Sequence, residues 1–181
     1  MDLETDLSDS WTVYQHDSKS SDWTYPSYVK VNMISTVQEF WDVHTAIERY
    51  IPDNMFFMMR DDIFPSWDDS NNLQGGSISL KIQKADATRT WLSMCIKLTS
   101  NTLTKEPDMF DCINGLSISP KANSSIIKIW LKNDSLQTCH AFSLPQWYKG
   151  DVLYRNHLDC IHANTTRLAQ QQQQLLPAIL P

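Results

Sequence analysis

Three tryptophans of this chain stand where little apolar sequence surrounds them. Trp23 follows Ser20-Ser21-Asp22, Trp67 lies within Pro65-Ser66-Trp67-Asp68-Asp69-Ser70, and Trp130 sits on a strand whose apolar neighbours alternate away from it. An exposed indole gives up its hydrophobic stabilisation unless a ligand or a partner covers it. Indoles beside carboxylates suit a flat, electron-poor or cationic ring held between aromatic planes. Taken alone, Trp130 fits two readings: a ligand contact, or a lid over a loop on the outer face of a sheet.

Composition narrows the remaining chemistry. The 181 residues suit one domain with a sizeable core, being 41% hydrophobic and 20% charged. Only four glycines are present, which argues against a glycine-rich nucleotide loop. The formal net charge of −6 disfavours a broad phosphate-binding surface for long nucleic acid but leaves room for one nucleotide at a local site. Cys95, Cys112, Cys139 and Cys160 form no C-x-x-C pair, so free thiols in a reducing compartment are a better reading than zinc. The start, Met1-Asp2-Leu3-Glu4-Thr5-Asp6, has no apolar stretch of a signal peptide, and no run approaches a membrane span. A cytoplasmic protein is expected. His44, His140 and His162 lack a nucleophile at recognisable spacing, so no catalytic residue, metal site or cofactor is expected.

The positioning elements can be read from periodicity. Residues 1–10, acidic and Ser-rich, are expected to be disordered. A first strand starts at Trp11, and a second covers about Tyr28 to Ile34, with Val29, Val31 and Met33 on one face. Thr36-Val37-Gln38-Glu39 is a capping box opening a helix with Val37, Phe40, His44, Ile47 and Ile51 on one stripe and Trp41 at its edge. Met55 to Met59 is a short apolar run, and Asn71 to Gly76 is turn chemistry before a strand through Ile78, Leu80 and Ile82. A second helix over about Thr88 to Leu98 buries Trp91, Met94, Cys95 and Leu98 and carries a second stripe through Leu92, Ile96 and Thr99. Strands near Gly115–Ser119 and Ile126–Lys132, a helix from about Pro145 and a last strand near Leu158–Asn164 complete residues 11–167. A glutamine-rich tail, 168–181, holds five glutamines at 170–174 with Leu175, Leu176, Ile179 and Leu180. The alternation favours an α+β domain, with helices on one face of a mostly antiparallel sheet.

Laid out in order, Trp23, Trp67-Asp68, Gly75-Gly76 and Trp130 resemble the translation initiation factor 4E family of messenger-RNA cap-binding proteins, over about residues 11 to 165. Thr36-Val37-Gln38-Glu39-Phe40-Trp41 is similar to the family's T-V-E-x-F-W. Ile63-Phe64-Pro65-Ser66-Trp67-Asp68-Asp69 is similar to its G-I-x-P-x-W-E-D, and Asn72 to Gly76 to its N-x-x-G-G. The spacing from Gly115 to Trp130 is kept, and His162-Ala163-Asn164 resembles the S-H-A-D of the last strand. The resemblance implies a curved antiparallel sheet with about three helices on its convex back. It also implies a 7-methylguanine sandwiched between Trp23 and Trp67, with Asp68 reading the base edge and Trp130 touching the N7-methyl group.

The surroundings depart from the family. Asp68 replaces Glu, Ser77 and Ile78 replace an arginine and a tryptophan, Ile126 stands where a lysine would be, and Lys121 takes an arginine's place. Lys128 or Lys132 is then expected to compensate. On the back, the resemblance implies that Val37, Trp41, Leu92 and Ile96 hold a short helix of a 4G-type scaffold or a 4E-binding protein. The alternative for these residues is packing against the chain's own N-terminus or tail. Leu7-Ser8-Asp9-Ser10 stands before Trp11 in place of the family's His-Pro-Leu segment, and Ser93 stands where an acid usually follows, so an altered partner motif is expected. The alternative function is an interaction module on the same fold, with weak or no cap binding, that regulates translation by sequestering a partner.

Overall fold

Alternation along each strand decides what the two faces of the sheet do. The computed structural model describes residues 4–175. Its strands are β1 (Asp6–His16), β2 (Tyr28–Thr36), β3 (Met55–Arg60), β4 (Gly76–Gln83), β5 (Ile113–Pro120), β6 (Ser124–Leu131) and β7 (Val152–Asn156); its helices are α1 (Val37–Ile47), α2 (Ala87–Thr99) and α3 (His157–Leu175). The seven strands form one curved, antiparallel sheet in the order β2-β1-β3-β5-β6-β4-β7. The fold class is α+β, as the sequence predicts.

On one face Phe56, Met58, Ile78, Leu80, Leu116, Ile127 and Ile129 meet Phe40, Val43 and Ile47 of α1 and Trp91, Met94 and Leu98 of α2. Trp11 and Trp91 belong to this core. On the opposite, concave face a second cluster gathers Tyr14, Phe57, Met59 and Trp130, with Tyr28, Phe64 and Trp67 packed against it. Helix α1 begins on the capping box. Thr36 Oγ1 accepts the Glu39 amide at 3.2 Å, and the Glu39 carboxylate accepts the Thr36 amide at 3.1 Å. Helix α2 turns Ile96 outward and leaves Leu92 half-buried.

Several expectations need correction. Asp6 to Ser10 form the start of β1 instead of a disordered lead: Asp6 opposes Thr36, Leu7 packs on the core, and Asp9 pairs with Arg60. In β2 a register shift opposite Val13 and Tyr14 inserts an extra residue, so Ile34 is the buried position while Val29 and Met33 are exposed. No helix starts at Pro145; that stretch runs as turns to β7. The expected last strand near Leu158–Asn164 is helical, because β7 already ends at Asn156 and α3 starts directly after it. That helix continues across the expected tail boundary at 168 and through the glutamines. Met1 to Leu3, residues 176–181 with Leu176, Ile179 and Leu180, and the side chains of Cys139 and of residues 171–175 with Leu175 lie outside the described residues.

Gly75 and Gly76 have a steric reason. Here β4 slides between β6 and β7. A Cβ on Gly75 would lie 1.8 Å from the Leu131 carbonyl oxygen, and one on Gly76 would lie 2.6 Å from that of Arg155. Only glycine allows this approach.

Candidate functional site

A run of ring contacts crosses the concave face and ties the three tryptophans together. Trp23 meets Tyr28 at 6.4 Å between centroids, Tyr28 meets Phe57 at 5.5 Å, and Phe57 meets Trp130 at 6.4 Å. Trp130 then meets His157 at 5.1 Å, and His157 stacks on Trp67 at 6.4 Å. The exposures differ, and the burial of Trp130 corrects the expectation that all three indoles are exposed. Trp23 is 53% exposed, Trp67 is partly buried, and Trp130 is only 3% exposed. Trp130 does point away from the helices, but Tyr14, Phe57 and Met59 share that face and close around it. Its indole N–H donates to Ser117 Oγ at 2.9 Å. Trp130 is a floor, and Trp23 and Trp67 are walls.

Each wall is held differently. Trp67 lies on the loop between β3 and β4, and buried Asn72 ties that loop down. Its Nδ2 donates to the carbonyls of Phe64 and Ser66, both at 2.9 Å, and its Oδ1 accepts from Asn114 Nδ2 at 3.0 Å. The Asn72 carbonyl accepts from His157 Nδ1 at 2.8 Å, which places the ring proton on Nδ1. Burial pulls the His157 imidazole below its usual value, against the opposing hydrogen bond. Trp23, on the loop between β1 and β2, stacks one face on His16 at 4.3 Å with the planes 3° apart. His16 is itself fixed by its Nε2 bond to the Asp22 carbonyl at 2.7 Å.

The polar groups are distributed as follows. Asp68 is exposed beside Trp67 and accepts a hydrogen bond from Ser66 Oγ. Burial, assisted by the Asp68 charge, pushes the Tyr28 phenol up to about 12. Lys121 is exposed in the turn between β5 and β6. The Lys128 ammonium lies 5.2 Å from the Trp67 ring centroid. Burial first, then Lys121 and Arg155, lower its proton affinity, while Cys160 opposes them. Lys132 lies exposed past the end of β6. Arg155 sits directly across from Ser77 in the β4–β7 pairing, which sends both side chains to one face. A guanidinium thus stands one strand over from the position that lacks one.

Residue type alone does not single out His16, Tyr28, Asn72, Arg155 or His157 as part of this site. The Tyr14-x-His16 alternation was a usable signal for His16. His157 had a signal too: Asn156-His157-Leu158-Asp159 runs from the last residue of β7 into the start of α3, the place assigned to His162-Ala163-Asn164, which lies on the exposed part of α3.

On the helical face Val37, Trp41 and Ile96 are 37%, 43% and 40% exposed, with Leu92 half-buried beside them on α2. The N-terminal segment lies nearby, its Thr5 carbonyl accepting the Val37 amide at 2.9 Å, yet it leaves these side chains uncovered. Among the described residues no group of three or more His, Cys, Asp or Glu is placed to hold a metal ion, and no helix is long and apolar enough to cross a membrane.

Comparison with known proteins agrees with this geometry. Residues 6–170 match the family model of eukaryotic initiation factor 4E. Eukaryotic translation initiation factor 4E-1 of barley, Hordeum vulgare, is 26% identical over 165 residues, which cover 84% of this chain and 74% of that protein. Across the curated relatives it matches, the chain spans about half to three-quarters of their length. A schistosome eIF4E solved with m7GpppA and a 4E-BP is 27% identical with a TM-score of 0.66, covering 74% of this chain and 75% of that one. Caenorhabditis elegans eIF4E-3, solved with the 4E-binding protein Mextli and a cap analogue, has a TM-score of 0.73 at 16% identity; it covers 88% of this chain and 96% of that one, and shows the shared fold. With the family model matched from β1 into α3, the chain belongs to the eukaryotic initiation factor 4E family.

Proposed function

We propose that this protein binds the 7-methylguanosine cap of messenger RNA on its concave face and a short partner helix on its helical face, acting in translation initiation or its regulation in the cytoplasm. The observation that carries the reading is the ring-to-ring continuity of Trp23, Trp130 and Trp67 across one face. Methylation at N7 makes the guanine cationic, so a base seated between Trp23 and Trp67 gains a cation–π contribution of about 0.5–2 kcal/mol per ring over unmethylated guanine. Asp68 then accepts from the base edge, and Lys121, Lys128 and Arg155 meet the phosphates. The site binds and does no bond chemistry, so the protein is read as a non-enzyme.

Retention on immobilised 7-methyl-GTP, with release by free 7-methyl-GTP but not by GTP, is the test. Equal retention on GTP resin would sink the reading. Trp23→Ala and Trp67→Ala should each nearly abolish retention, and the wild type's tryptophan fluorescence should fall as ligand is added.

The second reading, a partner-binding module with little cap affinity, is favoured by uncharged Ser77 and Ile126. Arg155 beside Ser77 weighs against it. On the helical face, Val37, Trp41, Leu92 and Ile96 present an apolar strip of the kind an amphipathic helix covers, and a 4G-type scaffold or 4E-binding protein is the partner proposed.

A further inference from the structure

Beyond the cap pocket, the far end of β4 opens into a cavity of about 340 Å³ lined by Lys81, Gln83, Thr90, Trp147, Lys149 and Gly150, among others. Trp147 is pinned without being covered. The Arg89 guanidinium lies 4.6 Å from its ring centroid and its N–H points to Thr90 Oγ1 at 3.4 Å, yet 44% of the residue is exposed. Neither Lys81 nor Lys149 takes part in an ion pair among the described residues, and the nearby acid Asp86 is already paired with Arg89 at 2.8 Å. A fixed aromatic surface beside two free cations is the chemistry of a single-stranded nucleotide site: a base stacks, and its phosphates meet the ammonium groups.

The cavity lies where β4 runs on past its pairing with β7 toward the start of α2, and Lys81 links it to the face that carries the cap pocket. Ser77, Ser79 and Lys81 alternate onto the concave face, away from the buried Ile78, Leu80 and Ile82. Ser77 opposes Trp130, Ser79 opposes Lys128, and Lys81 opposes Ile126. From Ser77 to Lys81 is about 13 Å at strand rise, passing Lys128 on the way.

We infer that the RNA behind the cap runs along β4 past Lys128 to Lys81, and that one of its first bases stacks on Trp147 in this cavity. The inference rests on the cap reading for the tether, but the cavity can be tested separately.

The experiment measures fluorescence anisotropy with three probes: 7-methyl-GTP, a 7-methylguanosine-capped pentaadenylate and the same pentaadenylate uncapped. The proteins are the full chain, Trp147→Ala, Trp147→Phe and the double variant Lys81→Ala with Lys149→Ala. Wild type should bind the capped oligonucleotide about tenfold more tightly than 7-methyl-GTP. Trp147→Ala and the lysine pair should lose most of that gain while binding 7-methyl-GTP like wild type, and Trp147→Phe should keep part of it. Equal binding of the capped oligonucleotide by wild type and both altered proteins overturns the inference. If wild type ignores 7-methyl-GTP, the cap reading fails. The uncapped oligonucleotide then decides the cavity: weakening by Trp147→Ala supports it, and indifference rejects it.

Discussion

At the scale of single residues, the site combines a nearly complete aromatic set with rearranged charges. Asp68 is one methylene shorter than the glutamate of the family pattern, so in the proposed cap reading its carboxylate would reach the base edge with less favourable geometry. Charged hydrogen bonds contribute about 1.5–3 kcal/mol, so Asp68→Ala should raise the Kd for 7-methyl-GTP about tenfold or more, whereas Asp68→Glu should lower it. Titration of tryptophan fluorescence measures both; an unchanged Kd in both variants removes Asp68 from the site. Arg155 is expected to act on phosphate alone. Arg155→Ala should weaken 7-methyl-GTP binding and leave the 7-methylguanosine nucleoside unaffected, since a guanidinium grips phosphate oxygens in a paired geometry. Equal losses for both ligands would instead assign Arg155 a structural role.

At the scale of elements, legibility follows how local the signal is. The capping box of α1 and the buried stripe of α2 depend on neighbours three and four residues apart, so spacing alone predicts them. The same holds for β4, whose alternation and glycines are both local. What spacing misses is set by distant partners. Ile34 is buried because a register shift against β1 turns it inward, and Asp6 to Ser10 are ordered because β2 and Arg60 lie beside them. Trp130 was aimed at the correct face, but its burial depends on β1 and β3 delivering Tyr14, Phe57 and Met59 to the same place. Arg155 becomes visible only once β7 pairs with β4. The outer surfaces of α1 and α2 should act independently of the cap site. Trp41→Ala is expected to abolish binding of a partner helix in calorimetry while leaving 7-methyl-GTP affinity at the wild-type value. Loss of both would mean that the substitution disturbs the core through Phe40, whose ring lies 5.2 Å from Trp41.

At the scale of the whole molecule, two buried histidines link stability to pH. Burial holds His44 and His157 below the ordinary imidazole value of 6.5. The unfolded chain therefore takes up protons before the folded one as the solution is acidified. Their contribution is fully present above about pH 6.5 and is lost as the pH falls toward the folded values. The Tm should accordingly drop between about pH 7 and pH 5, and His44→Gln should shrink that drop; a flat profile would contradict the burial argument. The two tryptophan walls carry a different consequence. Trp67 stands on a loop stitched through Asn72 to Asn114 and His157, while Trp23 leans on His16 from a loop that is anchored at a distance by Ser18 Oγ, which donates to the Asp53 carbonyl at 2.6 Å, and that is held around Trp23 itself by short-range turns. In the proposed cap reading this is a vice with one closely stitched jaw and one more loosely held jaw. The entropy lost on closing falls on the residues around Trp23, so the speed of capture and escape is governed there, while the closely stitched jaw sets only where the ligand comes to rest.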